Sequence, residues 1–264
     1  MQRLPAVAGL FYPDAPDVLS DVVDTYMAAA EHSFSQLPTA IIAPHAGYVY
    51  SGPVAGSVYG ACRTCSSGIR QVIVLSPSHR VAFSGCALTD ADSFVTPLGS
   101  VPVDRSARAR LADLSDVQVL EAAHADEHGI EVHLPFLQRL SDSFHLVPIV
   151  VGDAEGELVE TILFRLWQRQ ESLIVVSSDL SHYLPYAAAR QLDEQTAHAI
   201  EEGRPSDIER DQACGRIPMQ GLLRMANRLG WTTTRLDLRN SGDSAGSKDQ
   251  VVGYGAWALT EAAA

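Results

Sequence analysis

Three short aliphatic runs in this chain end the same way: each stops at proline or serine and then presents a histidine. Thr39–Ala43 leads to Pro44-His45, Gln71–Leu75 leads to Ser76-Pro77-Ser78-His79, and Ser172–Val176 leads to Ser177-Ser178-Asp179-Leu180-Ser181-His182. Uninterrupted Val/Ile/Leu runs, without polar alternation, predict strands buried on both faces, the mark of a parallel sheet covered by helices. In such sheets ligands sit in the crevice beyond the carboxyl ends of the strands. Three histidines at three such ends therefore belong at one edge, and the predicted fold is α/β with a mostly parallel central sheet flanked by helices.

The segments between the runs fit that scheme. Pro16 suits the first turn of a helix, and Val18, Leu19, Val22, Val23, Tyr26 and Met27 recur at helical spacing. A second helix is expected to be capped by Ser51 with Pro53 at its start. Short strands and turns fill Ser84 to Pro102, a helix lies near Asp104 to Asp113, and the apolar residues from Glu127 to Leu140 predict a helix interrupted by Pro135. A strand over Leu146–Val151 precedes an amphipathic helix carrying Leu158, Ile162, Leu163, Leu166 and Trp167. Helical patterns follow over Ala187–Glu202, Asp207–Ala213 and Pro218–Leu229, and two closing strands, Thr232–Leu238 and Val251–Leu259, flank the turn-rich stretch Asn240 to Asp249. No linker divides the chain, so residues 1–264 are expected to form one domain.

Charge narrows the functions. Nineteen basic against 32 acidic residues give a formal charge of -13, which repels nucleic-acid backbones and anionic membranes; neither is an expected partner. No apolar run approaches the roughly 20 residues of a membrane helix, and a cytoplasmic location is expected. The four cysteines (Cys62, Cys65, Cys86, Cys214) are too few for a disulfide scaffold. Cys62-Arg63-Thr64-Cys65 has redox-motif spacing, but it follows a predicted helix, and it reads as incidental thiols.

His45, His79 and His182 are the candidate ligands or proton carriers, because neutral imidazole is the commonest protein ligand for a transition metal. Asp179 is placed to hold one of them by its second ring nitrogen, and Tyr48 follows His45 closely. Cys214, expected where one helix ends and another begins, is a candidate thiolate held by oriented amides and Arg216. Imidazole and thiolate donors suit Fe, Cu or Zn rather than Mg or Ca. In Glu127-His128-Gly129-Ile130-Glu131-Val132-His133, the residues Glu127, His128 and Glu131 are expected beside the cleft, supporting the ligands rather than joining them. A metal-free cysteine hydrolase built from Cys214, His182 and Asp179 is a further reading of the same residues.

Several blocks resemble one family in the right order: Ala8-Gly9-Leu10-Phe11-Tyr12-Pro13, Pro44-His45-Ala46-Gly47-Tyr48-Val49-Tyr50-Ser51-Gly52, Pro77-Ser78-His79, Glu127 to Phe136, Ser177 to His182, Cys214-Gly215-Arg216 and Val252-Gly253-Tyr254. Together they look like the Memo family, whose fold resembles that of the class III extradiol dioxygenases. The resemblance implies that His45, His79 and Cys214 are metal-binding positions and that His182 lines the same pocket as an acid/base. It implies a non-haem Fe(II) centre, with Cu or Zn as alternatives, and redox chemistry on a small molecule. Extradiol enzymes hold iron with two histidines and a carboxylate; a thiol stands in that place here, so ring cleavage does not carry over. The resemblance also implies a radical-SAM system partner, and it leaves open a non-catalytic module that binds a peptide or protein in the cleft.

Overall fold

The computed structural model describes residues 1–261. In chain order the first half forms β1 (Gln2–Arg3), α1 (Pro16–Ala28), β2 (Ala40–Ala43), α2 (Tyr48–Ala61), β3 (Gln71–Pro77), β4 (Cys86–Leu88), β5 (Ser93–Thr96), β6 (Gly99–Pro102), α3 (Ser106–Arg110) and β7 (Val117–Val119). Then come α4 (Glu121–Ala125), α5 (His128–Glu131), α6 (Leu134–Leu140), β8 (His145–Val151), α7 (Gly156–Leu166), β9 (Ser172–Ser177) and β10 (His182–Leu184). The chain closes with α8 (Tyr186–Glu201), α9 (Arg216–Leu229), β11 (Thr232–Asn240) and β12 (Val251–Thr260).

The main sheet runs β10-β12-β2-β9-β3-β8-β4-β7, with β11 on β12. Its centre, β2-β9-β3-β8, is parallel throughout, with Ala40 opposite Ile174, Leu75 opposite Val176 and Leu75 opposite Ile149. The centre is parallel as expected, and antiparallel pairing on the flanks makes the whole sheet mixed. Successive side chains leave a strand on opposite faces. Ile41, Val72, Val74, Leu173 and Val175 accordingly pack on the face covered by α1, α2 and α6, while Ile42, Ile73, Leu75, Ile174 and Val176 pack against α7, α8 and α9. Each such side chain contributes about 1.5–3 kcal/mol on burial, which fixes the register of all four strands and hence the height at which their carboxyl ends stop. A small separate sheet, β1-β5-β6, ties the N-terminus to the excursion between β4 and α3.

Two local expectations are corrected, and the interruption expected at Pro135 is located. The helix after His45 begins at Tyr48, not at Ser51, and Pro53 lies inside it. The N-terminal arm supplies the reason: Phe11 O accepts from Tyr48 N at 2.7 Å, satisfying an early amide, while the Ser51 hydroxyl turns back to Ala46 O. No helix spans Asp207–Ala213, which is a sequence of turns. The Glu127–Leu140 pattern is split into α5 and α6, with Pro135 in the first turn of the latter.

The helices α1 and α2 cross at small residues. A methyl group at Gly60 would strike the backbone carbonyl of Met27, which cannot rotate away. Gly60→Ala is therefore expected to destabilise the chain by roughly 1–3 kcal/mol through forced separation of the helices, seen as a fall of several degrees in thermal melting.

Candidate metal centre

His45 leaves β2 one residue after Pro44 and is buried. Its backbone amide donates to Asp179 Oδ1 at 2.8 Å, which couples the ends of β2 and β9. The Ser177 hydroxyl has one proton, and that proton goes to Gly129 O at 2.6 Å. Ser177 Oγ must then accept from His45 Nδ1, 2.6 Å away. This fixes the tautomer: Nδ1 carries the proton and Nε2 presents a lone pair. Burial, followed by the repulsion of His79 and His128, holds His45 well below the usual histidine range, so the ring is neutral.

His79 is clamped from two sides by one carboxylate. Its backbone amide donates to Glu127 Oε2 and its Nδ1 to Glu127 Oε1, both at 2.7 Å, again leaving Nε2 bare. Glu127 also caps α5 by accepting from Gly129 N at 2.9 Å. Burial raises this carboxyl, but the hydrogen bonds from His79 and from Gly129 N outweigh it and hold Glu127 below its ordinary range.

His128 opens α5, which lies so close to the end of β3 that a methyl on residue 129 would collide with Ser76 Oγ. The closeness brings the three imidazoles together. Ring centroids are 4.5 Å apart for His79 and His128, 4.8 Å for His45 and His79, and 5.4 Å for His45 and His128. One nitrogen from each ring lies within 4.8 Å of the other two. His128 Nδ1 is buried without a hydrogen-bond partner, and burial, His79 and the nearby Arg80 push this ring down to about 4. His128, expected to stand behind the ligands, thus lies with His45 and His79 in a group that could hold a metal ion.

Cys214 sits in the turn before α9. Its Sγ is 3.3 Å from His45 Nε2, 3.6 Å from Asp179 O and 3.7 Å from Ser178 Oγ. Burial and the charge of Asp179 push the thiol up to about 12, so the neighbouring amides and Arg216 do not by themselves make it a thiolate. Asp179 is itself raised to about 6 by burial. The imidazole beside the sulfur is His45, with its Nδ1 committed to Ser177; this is not the Cys214–His182–Asp179 arrangement that a hydrolase requires.

The remaining candidates are spread around this centre. His182 is exposed on β10, its ring 5.8 Å from that of Tyr183, at the rim. The Tyr48 hydroxyl is spent on Val132 O at 2.7 Å. Glu131 points away from the histidines to an ion pair with Arg3 and also accepts from Ala6 N, Val7 N and Tyr12 Oη. The Cys62 and Cys65 thiols are free, and burial raises both. Ser177, which orients His45, escaped the sequence reading; its position at the last residue of β9 was the available signal.

The approach to His182 carries a titrating anchor. Asp193 on α8 is buried and accepts from Ser181 N at 3.0 Å, and burial pushes its carboxyl from 3.8 to about 6. Its charged form is costlier folded than unfolded, so the associated stability is present below about pH 4 and is lost as pH rises to about 6, on the order of 3 kcal/mol. Asp193→Asn is expected to reduce the fall in urea-unfolding free energy across that window, leaving the part due to Asp179, which burial raises into the same range.

Among the described residues no helix is long and apolar enough to cross a membrane. The profile of the Memo-like protein family matches residues 3–258. A MEMO1 family protein of Aquifex aeolicus is 35% identical over 263 residues, covering 96% of this chain and 97% of the relative. Relatives under the same family name in Thermoplasma volcanium and Methanosarcina barkeri are 34% and 35% identical, each covering 96% of this chain and 97% and 98% of their own lengths. The crystal structure of an uncharacterized protein from Escherichia coli K12 shares the fold at 13% identity, with a TM-score of 0.56, covering 83% of this chain and 99% of that one. With its three histidines at the strand ends and a family match running almost from end to end, this chain belongs to the Memo family.

Proposed function

We propose that this chain is a metal-binding protein whose centre, held by His45, His79 and His128 with Cys214 alongside, carries out redox chemistry on a small molecule. The observation that supports this most directly is the trio of imidazole nitrogens within 4.8 Å of one another. The donor set fits a transition metal: two rings have their Nδ1 engaged by Ser177 and Glu127, which leaves Nε2 free, and the third keeps a buried nitrogen unpartnered. Such carboxylate-backed and hydroxyl-backed histidines are the usual orientation device of a metal site. Imidazole and sulfur donors favour Fe, Cu or Zn, and among these Fe or Cu supplies one-electron exchange. Around that centre the chain's own residues do the rest. Glu127 and Ser177 orient the rings, Asp179 holds the backbone of His45, and His182 at the rim exchanges protons with solvent.

The test is elemental analysis of protein purified without oxygen, followed by reconstitution. About one Fe or Cu per chain is the expected result; a chain that binds neither overturns the proposal. For the sulfur, Cys214→Ser loaded with Cu(II) is expected to retain metal on the imidazoles while losing the thiolate-to-copper charge-transfer absorption shown by the parent.

A further inference from the structure

A cavity of about 780 Å³ opens beside the centre, and Cys214 is the residue the two share. Its lining includes Arg210 and Arg216, and among the described residues neither guanidinium makes an ion pair or a side-chain hydrogen bond. Among the described residues Arg70, Arg80, Arg190 and Lys248 also make no ion pair, but only the exposed Arg210 and the half-buried Arg216 share this hollow. The fold adds a third positive element. Arg216 is the first residue of α9, a 14-residue helix with no side-chain cap and no acidic residue in its first turn. A cation at the positive end of a helix dipole is placed against its own interest, and an anion bound at that spot satisfies both the dipole and the guanidinium. The one carboxylate on the lining, Asp153, leaves the balance positive.

The walls decide what kind of anion. Val81, Phe83 and Ile217 line the same cavity, which favours an organic body over a bare inorganic ion. Arginine's planar fork matches a carboxylate by two parallel hydrogen bonds. We propose that this cavity is the substrate pocket and that Arg216 and Arg210 clamp the carboxylate of a small organic acid whose other end reaches Cys214 and the histidines. The inference names the substrate class for the centre described above and rests on that reading only for the far end of the ligand; the clamp itself needs no metal.

The experiment uses succinate, its neutral diamide and inorganic phosphate as probes, titrated calorimetrically into the chelator-treated chain and into the metal-loaded chain. Succinate is expected to bind both forms and the diamide neither. Arg216→Gln and Arg210→Gln are each expected to weaken succinate about tenfold or more, the scale of one lost charge-assisted hydrogen bond, with circular dichroism melting confirming that both variants fold. Absence of succinate binding to the metal-free chain, an affinity unmoved in both variants, or phosphate binding tighter than succinate would each overturn the pocket assignment. A chain that binds succinate but no metal sinks the redox centre and leaves the clamp standing; one that takes up metal but not succinate does the reverse.

Discussion

His79→Ala is expected to abolish metal retention, measured as metal per chain after anaerobic purification and gel filtration. The residue supplies one of only three clustered imidazoles, and its removal also strands Glu127, which would keep a buried negative charge without the ring it holds. Glu127→Gln separates those two effects. It keeps the ring but replaces the acceptor that fixes the Nδ1 proton, and it should weaken metal binding by about 10–100-fold, the usual cost of losing such a partner. His124→Gln serves as the control: that ring is buried against Ala87 O at 3.1 Å and stands outside the cluster, so metal content should not change.

The second large effect is expected at the other end of α5. Arg3 and Glu131 are buried as an ion pair, with Arg3 also donating to Glu127 O at 2.6 Å and His124 O at 3.1 Å. Glu131→Gln leaves the guanidinium buried without a counter-charge. Breaking such a pair from one side costs about 3–5 kcal/mol, which for a chain of this size corresponds to a fall of roughly 6–20 °C in melting temperature. The double replacement Arg3→Met with Glu131→Gln should recover part of that loss, because no charge is left buried and the amide oxygen still accepts from the arm; the remaining cost is chiefly the hydrogen bonds that Arg3 gives Glu127 O and His124 O. A double variant as unstable as the single one would show that the charge pair is not what holds the arm.

The strand ends were legible because their physics is local. Val72 to Leu75 and Leu173 to Val176 are apolar on both faces, and only a sheet covered by helices on both sides buries them. The roles of the side chains beyond those ends depend on partners distant in sequence. His128 carried a helical spacing with Glu131 that read as packing, and nothing local told that a glycine at 129 would let its helix reach Ser76. The clamp on His79 spans 48 residues and the Arg3–Glu131 pair 128, so neither leaves a periodic trace. Pro53 misled for a related reason. Proline at a helix start is a sound local rule, but the amide that begins this helix is satisfied by Phe11 on a different segment. Cys214 was singled out as a thiolate candidate beside Arg216, yet its environment depends on burial and Asp179 rather than on that neighbour.

The four residues of α5 face two ways. His128 stands in the centre, while Glu131 grips the first residues of the chain. So short a helix cannot relax at one end and stay fixed at the other. Whatever free energy a bound ion contributes by steadying α5 is therefore shared with the N-terminal arm, and thermodynamic reciprocity makes the exchange equal in both directions. The factor by which metal favours the docked arm is the factor by which the docked arm tightens metal binding.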